Sequence, residues 1–570
     1  MIREQFTTFV TSFINVGNND EKHISWRIDK FRQIAQSGIQ ICVYLDSSVS
    51  EELQHITLNY DNVKIMDTVL LQNTRTSLSC ENINFKLPST DNTKKDTVDY
   101  MLLINSKIEF LFDAIQINPW NTEYFAWIDF SISHVFKNIN ECNYNLQQIS
   151  HIKTTRKLLL IPGCLPALTP HDNNILVTKV YWRFCGGFFW GDKNSILEMY
   201  DYQMKYFPVF LNQYNTLVWE VNIWAWLETN TPWKPLWYKA DHNDSIIQLP
   251  FEIYSISLNS LSISRQYPYP LLDYGNKEGT YIPGSASYLK YNGIHLLNTR
   301  YINYTVQDKQ FFFHHPNKFI ITKNVFSLLD DHLNPTIYQE MLDPPTHNPL
   351  VMFNGIEDIR LYNYSNQIRF IGTSMSHSTE GRNSIVIGIY DTARLSLRDF
   401  RIIESPNNCI CEKNWTPIIH SIDGVETEFF IYKWYPMQIG KIIDGKLQIE
   451  ITYNLNSHIF RKLRGSSIFV PWGEFLIGLV HFSEGDFLDR KYFHMLIMLN
   501  AKTFSPLKYS QSFYFGIEPG IEFCIGFSII DLKYQFWISQ SDRDPHTLSL
   551  PINMLPFSYD VIHSETDYPL

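Results

Sequence analysis

Over the first 250 residues, short apolar runs alternate with stretches of helical period. Phe6–Val16 reads as a strand. From His23 to Gln36, Ile24, Ile28, Phe31 and Ile34 share one helical face, and Gly38 ends the helix. Ile39–Leu45 is a buried strand that stops at Asp46-Ser-Ser, and Val63–Met66 is a third. Met101–Ile117 turns Leu102, Ile108, Leu111, Phe112 and Ile115 toward a core, and Tyr124–Ile128 is a further strand with its turn at Asp129. Strands alternating with helices predict a Rossmann-like α/β sheet with parallel pairs. Ligands of such sheets sit beyond the carboxyl ends of the strands, where Asp46 and Asp129 fall.

From about residue 290 the helical period disappears. Five segments repeat one design, a polar start, an apolar strand, a turn and a second apolar strand. They open at Asn298, Glu357, Glu412, Leu463 and Ile521, so successive starts lie 59, 55, 51 and 58 residues apart. A strand-only period of this length accommodates a four-stranded blade, and five repeats predict a five-bladed β-propeller with its polar starts around a channel. An irregular β-sandwich is the competing architecture. The expected division is an α/β domain at 1–250, an ordered Tyr/Pro/Gly-rich linker at 251–289 and the propeller at 290–570.

Composition narrows the function classes. The 570 residues are 44% hydrophobic and only 18% charged, enough to bury large cores. Lys and Arg total 47 against 58 Asp and Glu, with no basic stripe, which disfavours a nucleic-acid partner. No apolar run reaches the length of a membrane span, and Arg3 and Glu4 make the N-terminus read as a strand, not a signal peptide. Eight cysteines are too few for a disulfide scaffold and lack zinc-finger spacing, so a reducing, cytosol-like compartment is expected. The Asn/Ile/Tyr-rich usage suits an AT-rich genome, such as that of a large virus or an intracellular microbe. Oligomeric state is left open.

Three clusters in the first half offer chemistry. Asn118–Ser133 delivers Asp129 at a strand exit, where one carboxylate can hold a divalent ion or cap a helix. Arg183–Asp192 contains Gly186-Gly187, which permits close backbone approach to a ligand or marks a tight bend. Trp237–Asp244 carries Asp241, His242 and Asp244, possible metal ligands or a solvated turn.

Phe6-Thr-Thr-Phe-Val-Thr-Ser, Ser106-Lys-Ile, Asn118-Pro-Trp, Trp127-Ile-Asp129 and Gly186-Gly-Phe-Phe-Trp-Gly191 together resemble the HtrL/YibB-type bacterial proteins over roughly residues 5–250. Those look like GT-A glycosyltransferases. The resemblance implies transfer of a sugar from a nucleotide-sugar donor to a glycan acceptor. Asp129 and His242, assisted by Asp241 or Asp244, would hold Mn²⁺ or Mg²⁺. Asp46, Gly186, Gly187 and Asp192 would border the donor, and Glu220 would be the base. The second half resembles the five-bladed propellers of β-mannoside phosphorylases through Gly355–Arg360, Glu412–Pro417, Leu463–Ser467 and Val480-His481, with Ile359 where the Glu-Asp-Pro-Arg motif has proline. That implies an alternative, a phosphorylase or hydrolase of mannosides with Asp358 as acid. Arg360, Lys413, Arg464 and His481 would cradle the anion, and Arg300, Glu357, Glu412 and Glu522 would complete the channel lining. A third alternative is a non-catalytic glycan-binding protein.

Overall fold

The computed structural model describes residues 4–16, 24–46, 60–66, 70–88, 90, 95–154, 156–307, 310–348, 351–407, 409, 411–422, 425–485, 490–561 and 563. The chain divides into two compact units, Met1–Tyr254 and Ser255–Leu570.

Unit 1 is built on seven strands, β1 (Thr7–Phe13), β2 (Ile41–Leu45), β3 (Val63–Ile65), β4 (Tyr124–Ile128), β5 (Leu159–Gly163), β6 (Phe188–Asp192) and β7 (Leu236–Lys239). They form one mixed sheet in the order β3-β2-β1-β4-β6-β5-β7. β1 runs parallel to β2 and β4, and β5 parallel to β7, while β6 is antiparallel to both its neighbours. The longer helices among the described residues are α1 (Ile24–Ala35), α2 (Val98–Asn105), α3 (Lys107–Ile117), α4 (Ile139–Ser150), α5 (Lys193–Tyr214) and α6 (Glu220–Asn230). The two-residue period of the strands splits their side chains between two layers. Val10, Tyr44, Phe125 and Trp127 share a core with Ile108 and Leu111 of α3, Phe207 of α5 and Trp224 of α6. Phe9, Val43, Ala126 and Ile128 face the opposite way, onto Ile28 and Phe31 of α1 and Leu146 of α4. The helix expected over 101–117 is two helices. Ser106 breaks it by turning its hydroxyl onto the Leu102 carbonyl at 2.8 Å.

From β1 the chain steps outward to β2 and β3, then returns to place β4 on the other side of β1. The carboxyl ends of β1 and β4 therefore flank a topological switch point, where sheets of this kind leave a crevice.

Unit 2 is β-rich and propeller-like. β8 (Ile263–Gln266) is followed by β9 (Thr280–Tyr291), β10 (Ile294–Ile302) and β11 (Ile320–Leu329), the last three consecutive in a first sheet. β12 (Glu357–Tyr364) opens a second sheet, β13 (Thr416–Ile422) a third and β14 (Arg464–Gly465) a fourth. β15 (Glu522–Ile530), β16 (Lys533–Gln540) and β17 (Arg543–Pro551) meander through another, and β8 pairs with β17 at its far edge. The opening and closing stretches of the unit thus share a sheet.

Two expectations change here. Residues 251–289, expected as a linker, carry β8 and most of β9. Pro283 and Gly284 sit where the β9 register shifts, so turn-like composition concealed an irregular strand. The first repeat is consequently offset by one strand, because Asn298 lies within β10 whereas Glu357 begins β12.

Candidate functional site

Asp129 emerges at the carboxyl end of β4. Trp127, two residues earlier on the same face, donates its indole N–H to Asp129 Oδ1 at 2.7 Å. Lys107, the first residue of α3, reaches the same oxygen with Nζ at 3.0 Å and donates to Glu220 Oε1 and the Gly186 carbonyl, each at 2.8 Å. Glu220 opens α6. The Lys107 and Glu220 side chains are 8% and 4% exposed, whereas Asp129 is 43% exposed. Burial alone would lower the Lys107 ammonium, but the charges of Asp129 and Glu220 hold it above the ordinary lysine range. Burial pushes the Glu220 carboxyl up, and Lys107 offsets part of that rise. Two carboxylates share one ammonium, so the fully ionised cluster has one negative charge left over. Glu220 Oε2 is buried without a hydrogen-bond partner among the described residues.

Lys107 was not singled out for a role from sequence. The signal was present, since Lys107 lies in phase with buried Leu111 and Ala114 on the apolar face of α3. The paired glycines serve this cluster internally. A Cβ on Gly186 would lie 2.1 Å from Glu220 Oε1, and one on Gly187 3.5 Å from Asp129 Oδ2. Glycine at 186 is therefore required by the Glu220 carboxylate, where sequence had suggested a bound sugar. Glu220 is likewise a buried partner of Lys107, not a carboxylate facing an acceptor.

Other expected donor residues lie elsewhere. Asp46, at the end of β2, accepts the Asn15 backbone N–H. Asp192 caps α5, accepting from Asn194 and Ser195, and also accepts the Leu158 N–H at 2.6 Å. Because β6 is antiparallel, Asp192 pairs with Tyr124 at the amino end of β4, five residues (~17 Å) from Asp129.

The expected cation set does not assemble. Asp241 accepts the His242 backbone N–H at 2.7 Å, His242 packs edge-on to His134, and Asp244 accepts the Lys137 N–H at 2.7 Å. Among the described residues no group of three or more His, Cys, Asp or Glu is placed to hold a metal ion. Asp129 Oδ1 is taken by Lys107 and by the Trp127 indole. The expected ligands therefore do not converge on one cation among the described residues.

In unit 2 the channel charges pair among themselves. Arg300 donates to Asp358 Oδ1 at 3.0 Å and lies 3.6 Å from Glu357, which also accepts from Lys413 at 2.9 Å. Arg360, expected in an anion cradle, is fully buried. It donates to the carbonyls of Asp358, Gly465 and Ser466 and to Asn414 Oδ1, fastening the starts of three sheets together. Burial lowers its guanidinium to about 10, still cationic at neutral pH. His481 is buried against Ser466, at 2.8 Å, while Arg464 is exposed. These positions leave no converging cradle. Glu412 accepts from the Trp415 indole at 3.0 Å and borders a polar cavity of ≈ 290 Å³ also lined by Glu380, Arg382 and Glu404. Glu522 is buried and accepts the Phe515 and Gly516 N–H groups.

A family model described as a bacterial protein of unknown function (HtrL_YibB) matches residues 59–218, which include Lys107, Asp129 and both glycines. No curated protein matches the chain. Among solved structures, a β-1,2-mannobiose phosphorylase from Listeria innocua is similar at 12% identity and a TM-score of 0.35, over 50% of this chain and 93% of that one. A glycosyl hydrolase from Bacteroides ovatus has 9% identity and a TM-score of 0.35, over 53% and 96%. A mannose phosphorylase from Leishmania mexicana, in complex with phosphate, has 13% identity and a TM-score of 0.30, over 50% and 89%.

Proposed function

We propose that the protein is a carbohydrate-active enzyme whose glycosyl chemistry takes place at the Asp129–Lys107–Glu220 cluster. The observation that carries this reading is a half-exposed carboxylate at the switch point of a mixed α/β sheet, held by a buried ammonium that a second carboxylate secures. Unit 1 is read as GT-A-like and its donor as a nucleotide sugar. Asp129 Oδ2 accepts the proton of an acceptor hydroxyl as that oxygen attacks the anomeric carbon and the nucleoside diphosphate leaves. Lys107 orients Asp129 by holding its Oδ1, and Glu220 is a positioning residue acting through Lys107. Unit 2 is read as a closed ring of five blades that binds the glycan, supported by the β8–β17 pairing and by the three sheets that Arg360 joins.

A second reading places phosphorolysis or hydrolysis of mannosides at Asp358, the class of activity named for the mannobiose and mannose phosphorylases above. Asp358 has a left-handed backbone, φ 53°, and such strain collects at functional sites. Its pairing with Arg300 weighs against a free acid.

The test measures nucleoside diphosphate release from UDP- and GDP-sugars and sugar phosphate release from mannobiose with phosphate. Asp129→Asn is expected to lower the first by about 10²–10⁴-fold, with Asp358→Asn near wild type. Phosphate-dependent turnover lost only in Asp358→Asn transfers the assignment to unit 2.

A further inference from the structure

Trp182 presents an indole that is 40% exposed in the segment joining β5 to β6. Its backbone is held on all sides. The Trp182 carbonyl accepts the N–H groups of Cys164 and Leu165 at 2.9 and 3.0 Å. The preceding Tyr181 N–H donates to Asn222 of α6 at 2.8 Å, and the following Arg183 is clamped by both oxygens of Glu228, at 2.8 and 2.7 Å. Beneath it lies Trp219, whose indole N–H is taken by Asp96 at 3.0 Å and whose ring meets Trp182 edge-on at 6.1 Å. Trp219 also meets Tyr100 edge-on at 5.5 Å. Glu220 follows Trp219 directly in sequence, and the Tyr100 hydroxyl feels the charges of Glu220, Lys107 and Asp129. Among the described residues the Trp182 indole N–H has no hydrogen-bond partner.

A large aromatic face on a rigid backbone costs little entropy when a ligand settles on it, and a free indole N–H beside that face suits a ligand with hydroxyls. We propose that Trp182, backed by Trp219 and Tyr100, is the platform on which a sugar ring of a glycan acceptor stacks, leading that glycan to the Asp129 cluster. This deepens the reading of unit 1 as a sugar transferase and rests on it. A nucleobase also has a flat face, but Trp182 belongs to the β5–β6 side of the sheet, beyond the β1-α1-β2 half in which sheets of this kind seat a nucleotide.

The test is saturation-transfer NMR on the full chain with mannobiose, cellobiose and chitobiose, and separately with UMP and GMP. At least one disaccharide is expected to bind, with Trp182→Ala weakening it about tenfold and Trp182→Tyr restoring most of the loss. Equal disaccharide binding by wild type and Trp182→Ala overturns the proposal, as does failure of all three to bind wild type. Loss of nucleotide binding with disaccharide binding intact overturns it in favour of a base-stacking site. Stacking requires no turnover, so an inactive Asp129→Asn that still binds disaccharide through Trp182 separates failure of the chemistry from failure of the platform.

Discussion

The Asp129 cluster of unit 1 and the Arg300 cluster of unit 2 use the same kinds of residue and reach opposite ends. In unit 2, two cations, Arg300 and Lys413, meet two carboxylates, Glu357 and Asp358, and all four side chains are largely enclosed or partnered. In unit 1, one ammonium serves two carboxylates, one of them half exposed. A closed set of charges stiffens a fold but has no electrostatic capacity left for a ligand. An open set keeps a carboxylate that can take a proton or a hydroxyl. The difference teaches that charge closure, more than the presence of Asp, Glu and Arg, separates a structural ring from a candidate site.

Removing the shared cation is expected to have the largest effect on stability. Lys107→Met leaves Glu220 buried without a counter-charge, at a cost of about 3–5 kcal/mol in urea unfolding. The double variant with Glu220→Gln should recover most of it, and no recovery would break the account of an open cluster. A smaller loss, about 1–3 kcal/mol, is expected for Gly186→Ala, since the new methyl must push Glu220 away from Lys107. Gly187→Ala, with ordinary contact distances, should cost less, and the reverse ranking would contradict the packing.

A pH dependence sharpens the view of unit 2 as internally balanced. Its exception is Glu522, pushed up to about 8 by burial despite two backbone N–H donors, with neutral His494 3.8 Å away. A carboxyl raised in the folded state binds more protons there than in the unfolded chain. Its stabilisation is complete below the ordinary glutamate range near 4.5 and is lost as pH rises through about 8. Stability should therefore fall with a slope of at most ~1.4 kcal/mol per pH unit from this group, and Glu522→Gln should flatten that slope. Unfolding midpoints from pH 5 to 9 with parallel slopes would remove Glu522 as the cause.

Much of unit 1 was legible because its period is local. Ile28, Phe31 and Ile34 mark α1, and the all-apolar Tyr124–Ile128 run marks β4 and so puts Asp129 at its exit. Asp192 was misplaced because an apolar run does not say which way its strand runs, and β6 runs opposite to β4. The metal ligands failed for a related reason. Asp241, His242 and Asp244 stand together in sequence, yet their side chains go to His242's own backbone, His134 and Lys137. In unit 2 the loss of the helical period marked a β-rich, propeller-like region, while β9 was hidden by the proline and glycine at its bulge.

By itself the sequence determined most of the strands and helices of unit 1, which of their faces are apolar, and that one aspartate follows a buried strand, because each depends on neighbours a few residues away. Only the tertiary structure decided that Lys107 and Glu220, 113 positions apart, meet beside Asp129, and that Arg300 closes on Asp358. Pairing between charges depends on distances of a few ångströms set by sheet order and helix packing, and no local pattern encodes those.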